Sequence, residues 1–149
     1  VKAIQMKCLA EISKRMAKAS LKPFISFESP QSIADYFMEN TRYLEKEYVY
    51  MLMFDSKHKL LKDVRLSEGT VNSSLLSPRE VFTTALKFDA VYIVLVHNHP
   101  SGDPSPSRQD IEITDRVSSA GRMIGIELSD HIILGNNCYV SLAERGIIR

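Results

Sequence analysis

Residues 91–96 restrict the fold of this chain strongly, because they form an unbroken apolar run, Val-Tyr-Ile-Val-Leu-Val. A run without polar alternation is typical of a strand that is buried on both faces of a sheet. A Gly- and Pro-rich loop follows at residues 97–106, and apolar residues at helical spacing resume over residues 111–123. A buried strand that leads through a loop into a helix is the basic unit of α/β folds. The sequence therefore predicts an α/β protein with a site at the end of this strand.

The remaining segments predict further helices and strands around that unit. Helices are expected over residues 2–19, over residues 30–43 after the N-cap Ser29, and over residues 78–88 after the N-cap Ser77. Glu80 completes a capping box with Ser77. Strands are expected over residues 47–54 and 60–66, which form a hairpin, and over residues 126–134 and 138–142. With residues 20–28 as a linker, these elements predict a mixed β-sheet flanked by helices.

Length and composition fit one globular domain with a basic segment in front of it. The chain has 149 residues, 44% of them hydrophobic, which can supply one packed core. Residues 1–22 contain six basic residues against one acidic residue, a net charge of +5 in a chain whose total is +1. We therefore expect a basic N-terminal helix at residues 1–22, the end of an upstream region, and the main domain at residues 23–149. The acidic remainder argues against a broad phosphate-binding surface there.

The sequence predicts no contact with a membrane. No apolar run approaches the ~20 residues that cross a bilayer. The N-terminus also lacks a short apolar segment followed by a small-residue cleavage site. We therefore expect a cytoplasmic protein, and the sequence favours no particular oligomeric state.

Two histidines and one aspartate form a candidate metal site. His97 and His99 stand two residues apart at the end of the buried strand, so both side chains project from one face. Asp110 follows in the first turn of the next helix, where its side chain leans back toward the loop. Two imidazoles and a carboxylate are the protein ligands of many catalytic zinc sites. Spacing alone leaves another interpretation open, in which the histidines are a polar strand end and Ser107-x-x-Asp110 is a capping box.

The loop and its flanks carry a resemblance to a known family. They read His97-Asn98-His99-Pro100-Ser101-Gly102-Asp103-Pro104-x-Pro106-Ser107-x-x-Asp110. This stretch resembles the signature of the RadC family, within the JAMM (MPN+) metalloprotease group. The resemblance runs from about residue 30 to the C-terminus and includes residues 69–74, 78–82 and 125–133. Asn98 is the usual RadC residue, although eukaryotic JAMM isopeptidases have Ser or Thr there, and nothing resembles their ubiquitin-binding insertions.

The resemblance implies a fold, a cofactor and roles for particular residues. The implied fold is a cytidine-deaminase-like α/β sandwich, the JAB/MPN domain, with Zn²⁺ on His97, His99 and Asp110. Ser107 matches the serine that supports the tetrahedral intermediate. The group also needs a glutamate on an early strand as general base, and Glu47 is our choice. The alternatives are Glu45, two residues earlier, and Glu80, whose capping role already explains it.

These residues favour a zinc-dependent, metalloprotease-like hydrolase of an amide or isopeptide bond in a peptide or protein substrate. The alternative, which the family's traditional repair label implies, is an accessory domain for DNA repair or recombination with a structural or vestigial metal site. In that case an upstream helix-hairpin-helix region would contact nucleic acid. A nucleobase deaminase ranks last, because its Pro-Cys-x-x-Cys ligand pair is absent. His131 is expected to be a hydrogen-bonded core residue, with support of the metal ligands as the alternative.

Overall fold

The computed structural model of the chain describes residues 2–21, 27, 29–69 and 76–148. Within this part of the chain, four helices and five strands are formed. The helices are α1 (Lys2–Leu21), α2 (Pro30–Thr41), α3 (Pro78–Lys87) and α4 (Arg108–Ile124). The strands are β1 (Tyr48–Phe54), β2 (Leu60–Glu68), β3 (Tyr92–Asn98), β4 (Glu127–Leu134) and β5 (Tyr139–Ser141).

The strands form one mixed sheet in the order β2-β1-β3-β4-β5. Strand β1 is antiparallel to both β2 and β3, whereas β3 and β4 are parallel. Parallel neighbours need a long crossover, and α4 provides it between β3 and β4. The short β5 closes the sheet antiparallel to β4. The mixed sheet flanked by helices that the sequence predicts is therefore confirmed, including the hairpin of β1 and β2.

Helices cover both faces of the sheet, and the strand alternation decides which side chains meet which helix. Leu95 of β3 packs in a buried cluster with residues of α3 and α4, such as Val81 and Ile113. Its neighbours Val94 and Val96 pack in a second cluster with Phe37 and other residues of α2. Both faces of β3 are therefore buried, as its unbroken apolar sequence indicates.

Serine caps fix the starts of three helices. Ser29, Ser77 and Ser107 each accept a hydrogen bond from the backbone N–H three residues later, at the start of α2, α3 and α4. The Ser107 cap starts α4 at Arg108, three residues before the periodic segment from which the helix is predicted. Helix α2 ends at Thr41, short of the predicted residue 43.

Strand β3 is longer at its end than its apolar run predicts. It continues through Asn98, because His97 and Asn98 pair in parallel with Ile133 and Leu134 of β4. Such pairing is non-local and leaves no trace in the run itself. Conversely, β1 begins at Tyr48, so Glu47 lies just before the strand.

Helix α1 is formed as predicted, and its apolar side chains are exposed. Ile4, Leu9, Ile12 and Met16 have exposed fractions between 53% and 68%. Most of the predicted linker, residues 22–26 and 28, lies outside the described residues, as do residues 70–74 of the family resemblance. Among the described residues, no helix is long and apolar enough to cross a membrane.

Candidate metal centre

The two histidines of the loop signature converge at the end of β3. His97 is fully buried, and its Nε2 atom lies 2.9 Å from Nε2 of the half-buried His99. Asp110 places Oδ1 3.3 Å from Nε2 of His97 and Oδ2 3.5 Å from Nε2 of His99. The strand end and the first turn of α4 thus bring together the three side chains that the sequence singles out.

Asp110 takes part in the helix cap and in the cluster at the same time. It is the third residue of α4, where its backbone N–H donates to Oγ of Ser107 at 3.2 Å. In return the backbone N–H of Ser107 donates to Oδ2 of Asp110 at 2.7 Å. The capping interpretation and the ligand interpretation are therefore compatible. The cap also orients the carboxylate toward the histidines, because it holds one of its two oxygens.

The arrangement fits a divalent metal ion. Ligand atoms that lie about 2.0–2.2 Å from a tetrahedral zinc ion are separated from each other by roughly 3.3–3.5 Å. Ligand atoms of His97, His99 and Asp110 all lie within 4.8 Å of one another. The closest contacts are 2.9 Å between the two Nε2 atoms, 3.3 Å from Nε2 of His97 to Oδ1 of Asp110, and 3.5 Å from Nε2 of His99 to Oδ2 of the same carboxylate. The group could therefore hold a metal ion.

Both histidines also make a hydrogen bond at their second ring nitrogen, Nδ1. Nδ1 of His99 lies 2.7 Å from the backbone carbonyl oxygen of Asp103, which can only accept. Nδ1 of His97 lies 2.8 Å from Nε2 of His131, which is fully buried in β4. Such partners are typical of histidines that bind a metal ion. His131 is therefore buried, as expected, and it also contacts the candidate ligand His97.

The ionised carboxylate of Asp110 lies beside two neutral, fully buried rings, those of His97 and His131. Burial keeps the pKa of His97 well below its usual value, and the neighbouring His131 lowers it further. Burial lowers the pKa of His131 to about 4. The hydrogen bond to Asp110 raises the pKa of His99. Burial opposes ionisation of Asp110, but its hydrogen bonds with His99 and Ser107 hold its pKa below the ordinary carboxyl range.

A cavity of about 490 Å³ opens beside this cluster. Its wall includes His99, Asp110 and Ser107, together with Glu45 and Glu47. Its volume lies in the range of small-ligand sites, roughly 300–1,000 Å³. The candidate metal group thus faces a space that could admit part of a substrate.

Two of the three candidate general bases line the cavity, and the third does not. Glu80 is not part of the cavity wall, and its carboxylate accepts from the backbone N–H of Ser77 at 3.4 Å in the cap of α3. Glu45 and Glu47 both line the cavity, Glu45 being exposed and Glu47 half-buried. Glu47 also contributes to the raised pKa of His99. Its position favours Glu47, whose role as base stays a prediction.

Ser107 lines the same cavity. Its hydroxyl oxygen accepts the hydrogen bond of the cap, so its own hydrogen can be donated elsewhere. The position agrees with the predicted role of Ser107 in stabilising an oxyanion, which stays a prediction.

Asn98 is a site residue whose contacts the sequence interpretation missed. Its side chain, on the face of β3 opposite His97, is 3% exposed. Its Oδ1 accepts from the backbone N–H of Tyr48 at 2.9 Å, and its Nδ2 donates to the carbonyl of Lys46 at 3.0 Å. It therefore fixes the backbone on both sides of Glu47. The only signal in the sequence is a polar residue between the histidines.

Fold and site together define a JAB/MPN-type domain whose histidine-histidine-aspartate group could hold a metal ion. Residues 27–147 match the RadC-like JAB domain family, and the chain belongs to this family. Similar curated proteins, each called a UPF0758 protein, occur in Alkaliphilus metalliredigens (44% identity over 147 residues), Bacillus cereus (43% over 147) and Syntrophotalea carbinolica (41% over 147). These alignments cover 99% of the chain but 63% to 65% of each relative, so the chain spans a little under two thirds of their length.

Proposed function

We propose that this domain is a zinc-dependent hydrolase that cleaves an amide or isopeptide bond in a peptide or protein substrate. The observation that carries the proposal is the convergence of His97, His99 and Asp110 beside a cavity whose wall His99 and Asp110 share with Glu47 and Ser107. Ligand atoms from two imidazoles and one carboxylate leave a fourth tetrahedral position open, as catalytic zinc sites require.

Each of these residues has a distinct task in the proposed reaction. When bound, zinc supplies Lewis acidity, which polarises a carbonyl group and brings the pKa of a water molecule to about 7. Glu47 accepts a proton from the attacking water and returns it to the leaving amine nitrogen. Ser107 donates its hydroxyl hydrogen to the developing oxyanion. The backbone around Glu47, fixed by Asn98, keeps the carboxylate beside the reacting atoms.

The first test is the metal content of the purified protein, measured by inductively coupled plasma mass spectrometry. We expect about one zinc ion per chain, and its loss in a His97→Ala, His99→Ala double variant. A chain that binds no zinc even after reconstitution would contradict the proposal. In that case His97 and His99 would be only a polar strand end, and Asp110 only part of a helix cap.

The second test separates a hydrolase from an accessory domain with a structural metal. The loaded protein is incubated with a library of peptides and isopeptide-linked peptides, and cleavage is followed by mass spectrometry. Glu47→Gln is expected to lower turnover about 10²- to 10⁴-fold while zinc is retained, because it removes the general base. Glu45→Gln is the matched control, since Glu45 lines the same cavity, and it should leave turnover nearly unchanged. Turnover that survives in Glu47→Gln would refute the assignment of the base. Zinc binding without any cleavage would favour the accessory role.

A further inference from the structure

A line of buried polar groups runs from helix α4 through strand β4 to His97, one of the candidate metal ligands. Oγ1 of Thr114 lies 2.6 Å from the backbone carbonyl oxygen of Asp110 and 2.6 Å from Nδ1 of His131. Nε2 of His131 in turn lies 2.8 Å from Nδ1 of His97. Thr114, His131 and His97 are each 0% exposed, so water cannot replace these contacts.

The direction of each hydrogen bond follows from which atoms can donate. A carbonyl oxygen only accepts, so the single hydroxyl hydrogen of Thr114 points to Asp110. The hydroxyl oxygen must then accept from His131, which places a hydrogen on Nδ1 of that ring. A neutral His131 leaves a lone pair on Nε2, and an imidazolium would be costly in this fully buried position. His131 therefore accepts from Nδ1–H of His97.

The last atom along this line of hydrogen bonds is Nε2 of His97. With its hydrogen on Nδ1, neutral His97 carries a lone pair on Nε2, the atom that faces His99 and Asp110. A metal ligand must be such an unprotonated nitrogen. Thr114 also holds the backbone of Asp110, so one hydroxyl contacts one candidate ligand directly and reaches another through a single ring.

We propose that His131 and Thr114 are positioning residues that fix the tautomer and orientation of His97, so that its Nε2 atom is ready for a metal ion before the ion arrives. The inference rests on the proposed function, because it assigns His97 as a metal ligand. His99 is held differently, by the backbone carbonyl of Asp103. Thr114 and His131 can therefore be substituted while all three candidate ligands are kept, although Thr114 also contacts the backbone of Asp110.

The test compares two threonines that make the same helical hydrogen bond. Thr114→Val removes the hydroxyl and keeps the shape of the side chain. Thr41→Val is the matched control, because Thr41 is also buried and donates to the carbonyl four residues earlier, that of Phe37, at 3.0 Å. The dissociation constant for zinc is measured by competition with a chromophoric chelator. We expect it to rise about 10- to 100-fold in Thr114→Val, as for other partners of metal-binding histidines. It should stay near the wild-type value in Thr41→Val and in Thr114→Ser.

A second readout needs no zinc. Nitrogen-15 NMR of the histidine rings in the chelator-treated protein reports which ring nitrogen carries the hydrogen. We expect the Nδ1–H tautomer for both His97 and His131 in the wild type, and a mixture at His97 in Thr114→Val. The Nε2–H tautomer at His97 in the wild type would overturn the inference. Unchanged zinc affinity in Thr114→Val, or an equal loss in Thr41→Val, would also overturn it.

The two readouts also keep this inference apart from the proposed function. If the wild-type chain binds no zinc, the proposed function fails, and the tautomers alone then decide whether Thr114 and His131 orient His97. If zinc binds but His97 does not have the expected tautomer, the proposed metal centre is supported, and the proposed positioning role of His131 and Thr114 is wrong.

Discussion

Replacing Asn98 with alanine should loosen the backbone around Glu47 without disturbing the metal ligands. The side chain of Asn98 makes two hydrogen bonds, at 2.9 Å to the N–H of Tyr48 and at 3.0 Å to the carbonyl of Lys46, and it is 3% exposed. Each such bond contributes about 0.5–1.5 kcal/mol net, and each buried group left without a partner costs about 1–3 kcal/mol. Some of that cost is relieved if water enters. We therefore expect Asn98→Ala to lower the free energy of unfolding by about 2–4 kcal/mol.

Urea unfolding followed by circular dichroism measures this loss, since the chain has no tryptophan to report by fluorescence. Asn40→Ala is the control, because Asn40 is half-buried in α2 and donates one long hydrogen bond, 3.5 Å, to Tyr36. It should change stability by no more than about 0.5 kcal/mol. Hydrogen exchange at the amide of Tyr48 should accelerate in Asn98→Ala.

The effect on function should be separable from the effect on metal binding. Asn98→Ala keeps His97, His99 and Asp110, so about one zinc per chain should remain. If Glu47 is the general base, its displacement should lower turnover about 10- to 100-fold. A loss of stability below about 1 kcal/mol with unchanged protection of the Tyr48 amide would refute the reasoning, because the two hydrogen bonds would then contribute little.

Two further predictions concern packing and pH. In Gly121→Ala the new Cβ would clash with the carbonyl oxygen of Ile126, so α4 must shift. Urea unfolding should show a loss of about 1–3 kcal/mol in the free energy of unfolding, and almost no loss in the control Arg116→Ala, whose side chain is exposed. In the chelator-treated protein, the unfolded chain binds a proton at His131 below about pH 6.5, whereas the folded chain does so only near its pKa of about 4. The contribution of neutral His131 to the free energy of unfolding is therefore complete above pH 6.5, and roughly 3 kcal/mol of it should be lost as the pH falls toward 4. Urea unfolding midpoints that do not move over this pH range would contradict the prediction. The raised pKa of His99 acts in the opposite direction, so His99→Gln should make the loss steeper.

Local patterns of the sequence predict much of the fold. The apolar run of β3, the hairpin of β1 and β2 and the Ser-Pro starts of α2 and α3 depend on neighbouring residues, so the sequence predicts them directly. The convergence of His97, His99 and Asp110 is predictable for the same reason, because one strand end and the next helical turn hold all three.

The supporting contacts of the site depend on which strands lie side by side. His131 reaches His97 because β3 and β4 are parallel and Leu95 is paired with His131. Asn98 reaches the backbone around Glu47 because β1 is antiparallel to β3 with Val49 opposite His97. These partners are 34 and about 50 residues apart in the chain, and no local pattern encodes a register. The sequence therefore predicts that His131 is a core residue, but it does not predict the contact of His131 with the candidate metal ligand His97.

The loop between His99 and Ser107 has a consequence for how an ion would be gained and lost. Pro100, Pro104 and Pro106 restrict this segment even in the unfolded chain. In the folded chain the carbonyl of Gly102 accepts from the backbone N–H of Asn136 at 2.8 Å. These restraints come from the chain itself, so we expect the free energy of metal binding to go into affinity instead of into folding the loop. We expect a domain built in this way to release its ion to a chelator and take it up again without unfolding.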